Sequence, residues 1–185
     1  MPFSGLTHRE FCPELSRCAP LKNQLYLAAI MRDFPSNSYT LGGYCFGALV
    51  ILEMARTLRV LGYKVRLVLI DPVTPRTGAK NSLNREELIA LRSLLGRVPS
   101  EIPPAYRQVE LAAKDAAASY CPQPVPVDAL FVTRFDNLLA CDRWYYLTGG
   151  GLTEQAIPCD HLQILNEPHV QTLAGLIDEF LTGNS

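Results

Sequence analysis

Five residues, Gly43-Tyr44-Cys45-Phe46-Gly47, stand between a short extended stretch, Tyr39-Thr40-Leu41-Gly42, and a long apolar run from Ala48 to Leu61. Few local patterns constrain a fold more. A strand that ends and a helix that begins within so few residues force a sharp turn, and the turn residue is pushed toward positive φ, where its side chain crowds its own backbone. Glycines two positions to either side then let strand and helix pass closely. The turn side chain, here Cys45, stands above the end of a sheet. The N–H groups that follow it open a helix, where they can stabilise a thiolate or an oxyanion.

With serine in the middle, this spacing is a nucleophile elbow, G-x-S-x-G. The competing reading is a buried cysteine in a glycine-rich turn, since free cysteine is among the most buried residue types. The flanking elements bear on the choice. Leu21, Leu25, Ala28 and Ala29 recur at helical spacing before Pro35-Ser36-Asn37, so a helix precedes the strand at Tyr39 to Leu41. Crowded apolar residues from Ala48 to Met54 predict a buried helix that Gly62 stops. Val65 to Ile70 then reads as a buried strand ended by Asp71-Pro72. Strand, helix, strand in this order is the signature of a right-handed parallel crossover in an α/β fold.

Between Pro72 and Pro126 the texture changes. Helical patterns at Arg85 to Leu95 and Tyr106 to Tyr120, flanked by prolines, are too long for a simple connection and read as a helical insertion. Strand character returns at Val127 to Thr133, followed by a loop around Asp136, and again at about Glu154 to Ile157. A last helix starts near Pro168 and presents Val170, Leu173, Ile177, Phe180 and Leu181 to a core. The 185 residues, 48% of them hydrophobic, suit one domain spanning 1–185.

Composition excludes several function classes. The net charge is −1 and the basic residues are scattered, so no electrostatic footprint for nucleic acid or an anionic membrane exists. No charge-free apolar run of about 18 residues is present for a spanning helix, and Met1-Pro2-Phe3-Ser4 lacks the pattern of a signal peptide. The six cysteines, Cys12, Cys18, Cys45, Cys121, Cys141 and Cys159, form no C-x-x-C pair and read as mostly reduced thiols of a cytoplasmic protein. Only three histidines occur, none with ligand spacing to a cysteine pair, so no metal site is expected.

Taken together, Leu41 to Gly47, then Glu53-Met54-Ala55-Arg56 with Leu58, then the strand ending in Asp71, then Cys159-Asp160-His161 leading to Asn166-Glu167-Pro168-His169-Val170 resemble the thioesterase domains of nonribosomal peptide and polyketide synthetases. The resemblance runs from about Phe3 to the C-terminus. It implies an α/β-hydrolase: a mostly parallel sheet with helices on both faces and a helical lid insertion, about 74–106. It implies acyl release from the phosphopantetheine thiol of an acyl or peptidyl carrier protein, by hydrolysis or cyclisation, with no further cofactor. Cys45 would be the nucleophile, where the family usually has serine. His161 matches the general base, Asp71 the acid that orients it, and Phe46 would donate one oxyanion-hole N–H. The earlier strands of the family and the loop that supplies a second such N–H have no counterpart before Phe3-Ser4-Gly5-Leu6, so an unpaired sheet edge is expected.

Rival readings stand beside these. Asp136 follows the next strand, the more usual acid position in this fold class. His169 reads as structural, Asp160 as exposed beside the base but facing the wrong neighbour to orient it, Cys159 as a space-filling thiol, and Trp144, Tyr145 and Tyr146 as packing residues rather than substrate platforms. A dienelactone-hydrolase-like enzyme also uses a cysteine elbow, but the long helical insertion argues against it. A non-catalytic scaffold that keeps the triad residues is the third reading. Chemistry gives cysteine a distinct use. It exchanges one thioester for another at nearly equal energy, so the acyl group stays activated, and its thiolate is the better nucleophile near neutral pH beside an imidazole.

Overall fold

A computed structural model describes residues 19–73, 120–134 and 139–183. The chain groups into two compact units, Met1–Asn37 and Ser38–Ser185. Helix α1, Ala19–Asp33, lies in the first, where the leucine and alanine spacing predicts a helix. The second holds β1 (Ser38–Tyr44), α2 (Gly47–Val60), β2 (Lys64–Ile70), β3 (Asp128–Thr133), α3 (Leu139–Leu147), β4 (Leu152–Ala156) and α4 (His169–Thr182). The four strands form one parallel sheet in the order β1-β2-β3-β4. Fold class is therefore as the sequence implies. The expected lid at about 74–106, the helical pattern at Arg85 to Leu95, the N-terminal stretch from Phe3 and Asp136 all lie outside the described residues.

Period-2 alternation sorts the strand residues onto two faces. Register places Leu41 beside Leu67 and Gly43 beside Leu69, then Leu67 beside Ala129 and Leu69 beside Phe131. This face receives α2, whose Ala48, Leu49, Leu52, Ala55 and Leu58 are buried. On the opposite face Val68, Leu130 and Val132 form a cluster with Ile157, Ile164 and Leu173, against which Leu176, Ile177 and Phe180 of α4 pack. Helices thus cover both faces. A fully buried leucine such as Leu67 or Leu69, neither exposed at all, contributes roughly 1.5–3 kcal/mol relative to a solvated one.

Two glycines shape the ends of α2, and one expected to matter does not. At the C-terminus Gly62 adopts φ +90°, its N–H bonds to Arg59 O and the Tyr63 N–H reaches Leu58 O, the Schellman pattern. At the N-terminus a Cβ on Gly43 would lie 2.7 Å from the Gly47 carbonyl carbon and oxygen and 2.8 Å from Ala48 N, so the strand end and helix start touch there. A Cβ on Gly47, by contrast, meets no described atom within 4 Å. The close pass needs only the first glycine of the pair, because the strand residue points at the helix backbone while the helix residue points away.

Helix α3 is absent from the sequence reading, which names a loop around Asp136 and no element between it and the next strand. Ala140, Trp144 and Leu147 recur at i, i+4 and i+7 and are all fully buried, so the helical signal was present in a segment of only nine residues. Its aromatic run and the following Gly149-Gly150-Gly151 obscured it. Strand β4 starts two residues earlier than expected and most of its side chains are exposed. Tyr120, before β3, donates its hydroxyl to the Glu53 carboxylate of α2, which also takes the Arg56 guanidinium at 2.5 Å, tying the chain that enters β3 to that helix.

Candidate active site

The C-terminal ends of β1 and β2 each turn through a left-handed residue, Cys45 at φ 53° and Asp71 at φ 35°. Non-glycine residues rarely adopt such φ, and a structure keeps them only where the surroundings hold them. Here the ends are laced together. Cys45 N–H donates to Ile70 O at 3.0 Å, Asp71 N–H to Val132 O at 2.6 Å, and Val73 N–H returns to Cys45 O at 3.4 Å. The fully buried Trp144 of α3 donates its indole N–H to Val73 O at 3.2 Å. The two turns are fixed to each other by backbone bonds before any side chain is counted.

Asp71 is almost completely buried. Its Oδ2 lies 2.5 Å from His161 Nδ1 and accepts from Arg134 Nε at 3.0 Å, while Oδ1 accepts from the Thr133 hydroxyl at 3.2 Å. A carboxylate out of water is tolerable only with such a set of donors. His161 opens a short 3-10 turn, His161–Gln163, in the loop between β4 and α4. Cys45 is the other side chain near enough to favour the charged imidazole. With Nδ1 committed to Asp71, Nε2 is the nitrogen left to face the sulfur. Burial by itself would push the imidazole pKa down, but its hydrogen bond to the Asp71 carboxylate and the nearby Cys45, with their charge, carry it up to about 9. The proton-bearing imidazolium is thus favoured at neutral pH.

The structure therefore brings His161 and Asp71 together and places Cys45 next to Tyr44, whose ring stacks on the imidazole. Phe46 directly precedes α2, with its carbonyl already accepting from Leu49 N–H at 3.0 Å. Its N–H belongs to the helix start, where intrahelical acceptors are missing. Asp160 is exposed at the entry to the 3-10 turn, its N–H donating to the Gln163 side-chain oxygen at 3.2 Å. Cys159 packs against the core cluster, and burial first, then the charges of Asp71 and Asp160, push its thiol pKa up. His169 begins α4. Trp144 packs as expected, whereas Tyr145 and Tyr146 are largely exposed, because α3 turns only one face inward.

Three neighbours of the site escape the sequence reading. Thr133 and Arg134 meet Asp71 because Ile70 pairs with Val132, so the next residues along β2 and β3 lie side by side; the signal was register, which a lone sequence leaves open. Tyr44 stands beside Cys45 within the motif itself. Its ring stacks on the His161 imidazole with centroids 4.7 Å apart and planes 18° from parallel, and its hydroxyl donates to the His161 carbonyl at 2.8 Å. At the other end of the sheet a cavity of about 570 Å³ is lined by residues that include Ser38, Arg59, Lys64, Arg66 and Asp128. It opens at the strand starts, away from Cys45.

Residues 23–181 match the family model described as Thioesterase domain. None of the curated proteins matches the chain. Among solved structures, the NocB thioesterase domain in covalent complex with a fluorophosphonate nocardicin G analog is 24% identical, covers 88% of this chain and 74% of its own, and has a TM-score of 0.69. The thioesterase domain SrfTE, which cyclises the lipopeptide antibiotic surfactin, is 21% identical over 90% of this chain and 77% of its own, with a TM-score of 0.69. The type II thioesterase BorB from the borrelidin biosynthetic cluster is 20% identical over 87% and 69%, with a TM-score of 0.58. At such identities the likeness is one of fold. Among the described residues, no helix is long and apolar enough to cross a membrane.

Proposed function

The chain belongs to the thioesterase domain family, and we propose that it releases a peptidyl or polyketide acyl chain from the phosphopantetheine thioester of a carrier protein, through an acyl group held on Cys45. The observation that carries this reading is the His161 ring, with Nδ1 2.5 Å from a buried Asp71 oxygen and its face stacked on Tyr44, the residue before the left-handed Cys45. A strained turn, a helix start and an oriented imidazole meet at one sulfur. The solved structures with which the fold is shared include a surfactin-cyclising domain and a thioesterase of the borrelidin cluster, which supports a carrier-bound substrate.

In the first half-reaction the Cys45 thiolate, its proton resting on His161, attacks the thioester carbonyl carbon. The Phe46 N–H receives the developing oxyanion. Collapse breaks the bond to the pantetheine sulfur, which leaves with the His161 proton, and the acyl group remains on Cys45 as a thioester. In the second, neutral His161 takes a proton from water or from an internal hydroxyl or amine as that atom bonds to the carbonyl carbon. The Cys45 sulfur leaves as thiolate, and the imidazolium is again its counter-ion. Asp71 stays ionised throughout, orienting the ring and stabilising its charged form. Because the acyl group passes between two thiols of similar energy, it remains activated enough for a weak internal nucleophile.

Intact-protein mass spectrometry with an acyl N-acetylcysteamine thioester tests this directly. One acyl adduct is expected, mapped to Cys45, absent from Cys45→Ala, and formed more slowly by Cys45→Ser, whose hydroxyl relies wholly on His161 for deprotonation. Failure of the wild-type chain to acquire an adduct under conditions where iodoacetamide modifies Cys45 would favour the scaffold reading.

A further inference from the structure

We infer that Tyr44 is a positioning residue that fixes the His161 imidazole over Cys45. The inference rests on Cys45 and His161 acting as a pair, and it adds to that pair a group no motif assigns. Tyr44 touches His161 twice, by ring and by hydroxyl, across 117 residues of sequence. The two contacts restrain different freedoms. The hydroxyl holds the main-chain carbonyl of His161 and so sets where the loop stands. The stacked ring holds the plane of the imidazole and so sets where its nitrogens point.

The need for such a restraint follows from where His161 sits. Its loop is tied to the sheet by Ile157 N–H to Thr133 O at 2.8 Å, four residues before the histidine. Asp71 then grips only Nδ1. With only Nδ1 gripped in this way, a tilt of the imidazole plane about the line from Cγ to Nδ1 still takes Nε2 off the sulfur. Tyr44 removes that rotation. Because it is the residue before Cys45, the base is referenced to the nucleophile's own peptide: any displacement of the turn carries the tyrosine, and with it the imidazole, in the same direction. A loop histidine gains in this way the precision of a residue mounted on the strand.

The contact also has a preferred charge state. A π-face against a cationic ring is favourable, so the stack supports the imidazolium. The titratable groups around this arrangement are Cys45 and Asp71, with Arg134 and Cys159 behind them. Burial, then the negative charge of Cys45 and Asp71, pushes the Tyr44 hydroxyl pKa well above its ordinary range, so it remains a donor wherever the enzyme would work.

Two variants separate the two contacts. Tyr44→Phe keeps the ring and loses the hydroxyl; Tyr44→Leu loses both. The first readout is the rate at which iodoacetamide alkylates Cys45 relative to the other cysteines at mildly acidic pH, which needs no acyl substrate. Tyr44→Leu is expected to slow Cys45 alkylation and acylation about 10- to 100-fold, the scale set by small misplacements of reacting groups. KM for the acyl surrogate should be unchanged, and the pH above which acylation declines should move downward. Tyr44→Phe is expected to cost about 2- to 10-fold, one hydrogen bond's worth, with the pH profile in place. A downward shift in Tyr44→Leu that Tyr44→Phe restores cannot come from loosened packing alone. Alkylation and pH profiles equal to wild type in both variants would overturn the assignment, as would Tyr44→Phe losing as much as Tyr44→Leu. Should the wild-type chain fail to acylate while Cys45 alkylation still depends on Tyr44, the proposed reaction falls and the positioning role stands.

Discussion

The two edges of the parallel sheet both carry charged side chains, and they use them in opposite ways. At the strand ends, Asp71 and His161 are buried and Arg134 partly so, and His161 and Arg134 both reach the Asp71 carboxylate within 3.0 Å. At the strand starts, Arg59, Lys64 and Asp128 are exposed around an open cavity. The open edge has a hollow of about 570 Å³ lined in part by Arg59, Lys64 and Arg66. The closed edge has the strained turns, the shared carboxylate and the displaced pKa. Perturbed, mutually dependent groups mark the place where chemistry is done, and an accessible hollow lined by solvated charges does not.

If that contrast is sound, the largest effect should come from breaking the closed edge at its centre. Asp71→Asn is expected to slow Cys45 acylation by about 10²–10⁴-fold, since the amide neither fixes the imidazole tautomer nor stabilises its charge. Arg134 would lose its carboxylate partner as well. The fold should also lose stability, by less than the ~3–5 kcal/mol of a fully buried pair, because the Arg134 side chain is 21% exposed. Rate constants by mass spectrometry and thermal melts check the two parts separately. A variant with wild-type acylation would remove Asp71 from the site and return attention to Asp136.

The same edge predicts a pH response. Burial opposes the charge on His161, but its hydrogen bond to Asp71 and the nearby Cys45 prevail and place its pKa at about 9 against an ordinary 6.5. The folded state thus binds this proton more tightly than the unfolded chain. The stabilisation is complete below about pH 6.5 and is lost as pH rises through about 9. Acylation, which needs the imidazolium to protonate the leaving thiol, should decline over the same rise. A rate that climbs steadily from pH 7 to 10 would mean that neutral imidazole is the working form.

How far the contrast was legible depends on whether a feature is local. The turn at Cys45 is specified by neighbours in sequence, so strand, elbow, α2 and β2 could all be read from spacing, as could the Gly62 stop. The partnership of Asp71 with Thr133 and Arg134, and of Tyr44 with His161, depends on strand register and on a loop returning from far along the chain. Residue types alone carry neither. The paired glycines of the elbow misled in the other direction, since the motif is symmetric in sequence while the backbone geometry is not. Gly43→Ala should therefore destabilise the fold by about 1–3 kcal/mol through forced backbone movement, and Gly47→Ala by less than about 0.5 kcal/mol. Denaturant midpoints would show the asymmetry, and equal losses would refute it.

The smallest expected effects belong to the open edge, and they are the more demanding check because they must be near zero. Arg59 and Lys64 are exposed, and an exposed cation near other charges contributes little once water and salt screen it. Arg59→Ala and Lys64→Ala should each leave stability within about 0.5 kcal/mol and the acylation of Cys45 by a small thioester unchanged. Arg66 is left out of this pair because its guanidinium donates to the Phe180 carbonyl at 3.1 Å and lies over the Phe180 ring, so its removal would unpack the end of α4. Acylation assays and melts on the two single variants, at low and at physiological salt, give the comparison its sharpest form. A several-fold loss of acylation in either variant would mean that the strand starts are coupled to the strand ends through the sheet, and the division between a reactive edge and a passive one would have to be abandoned.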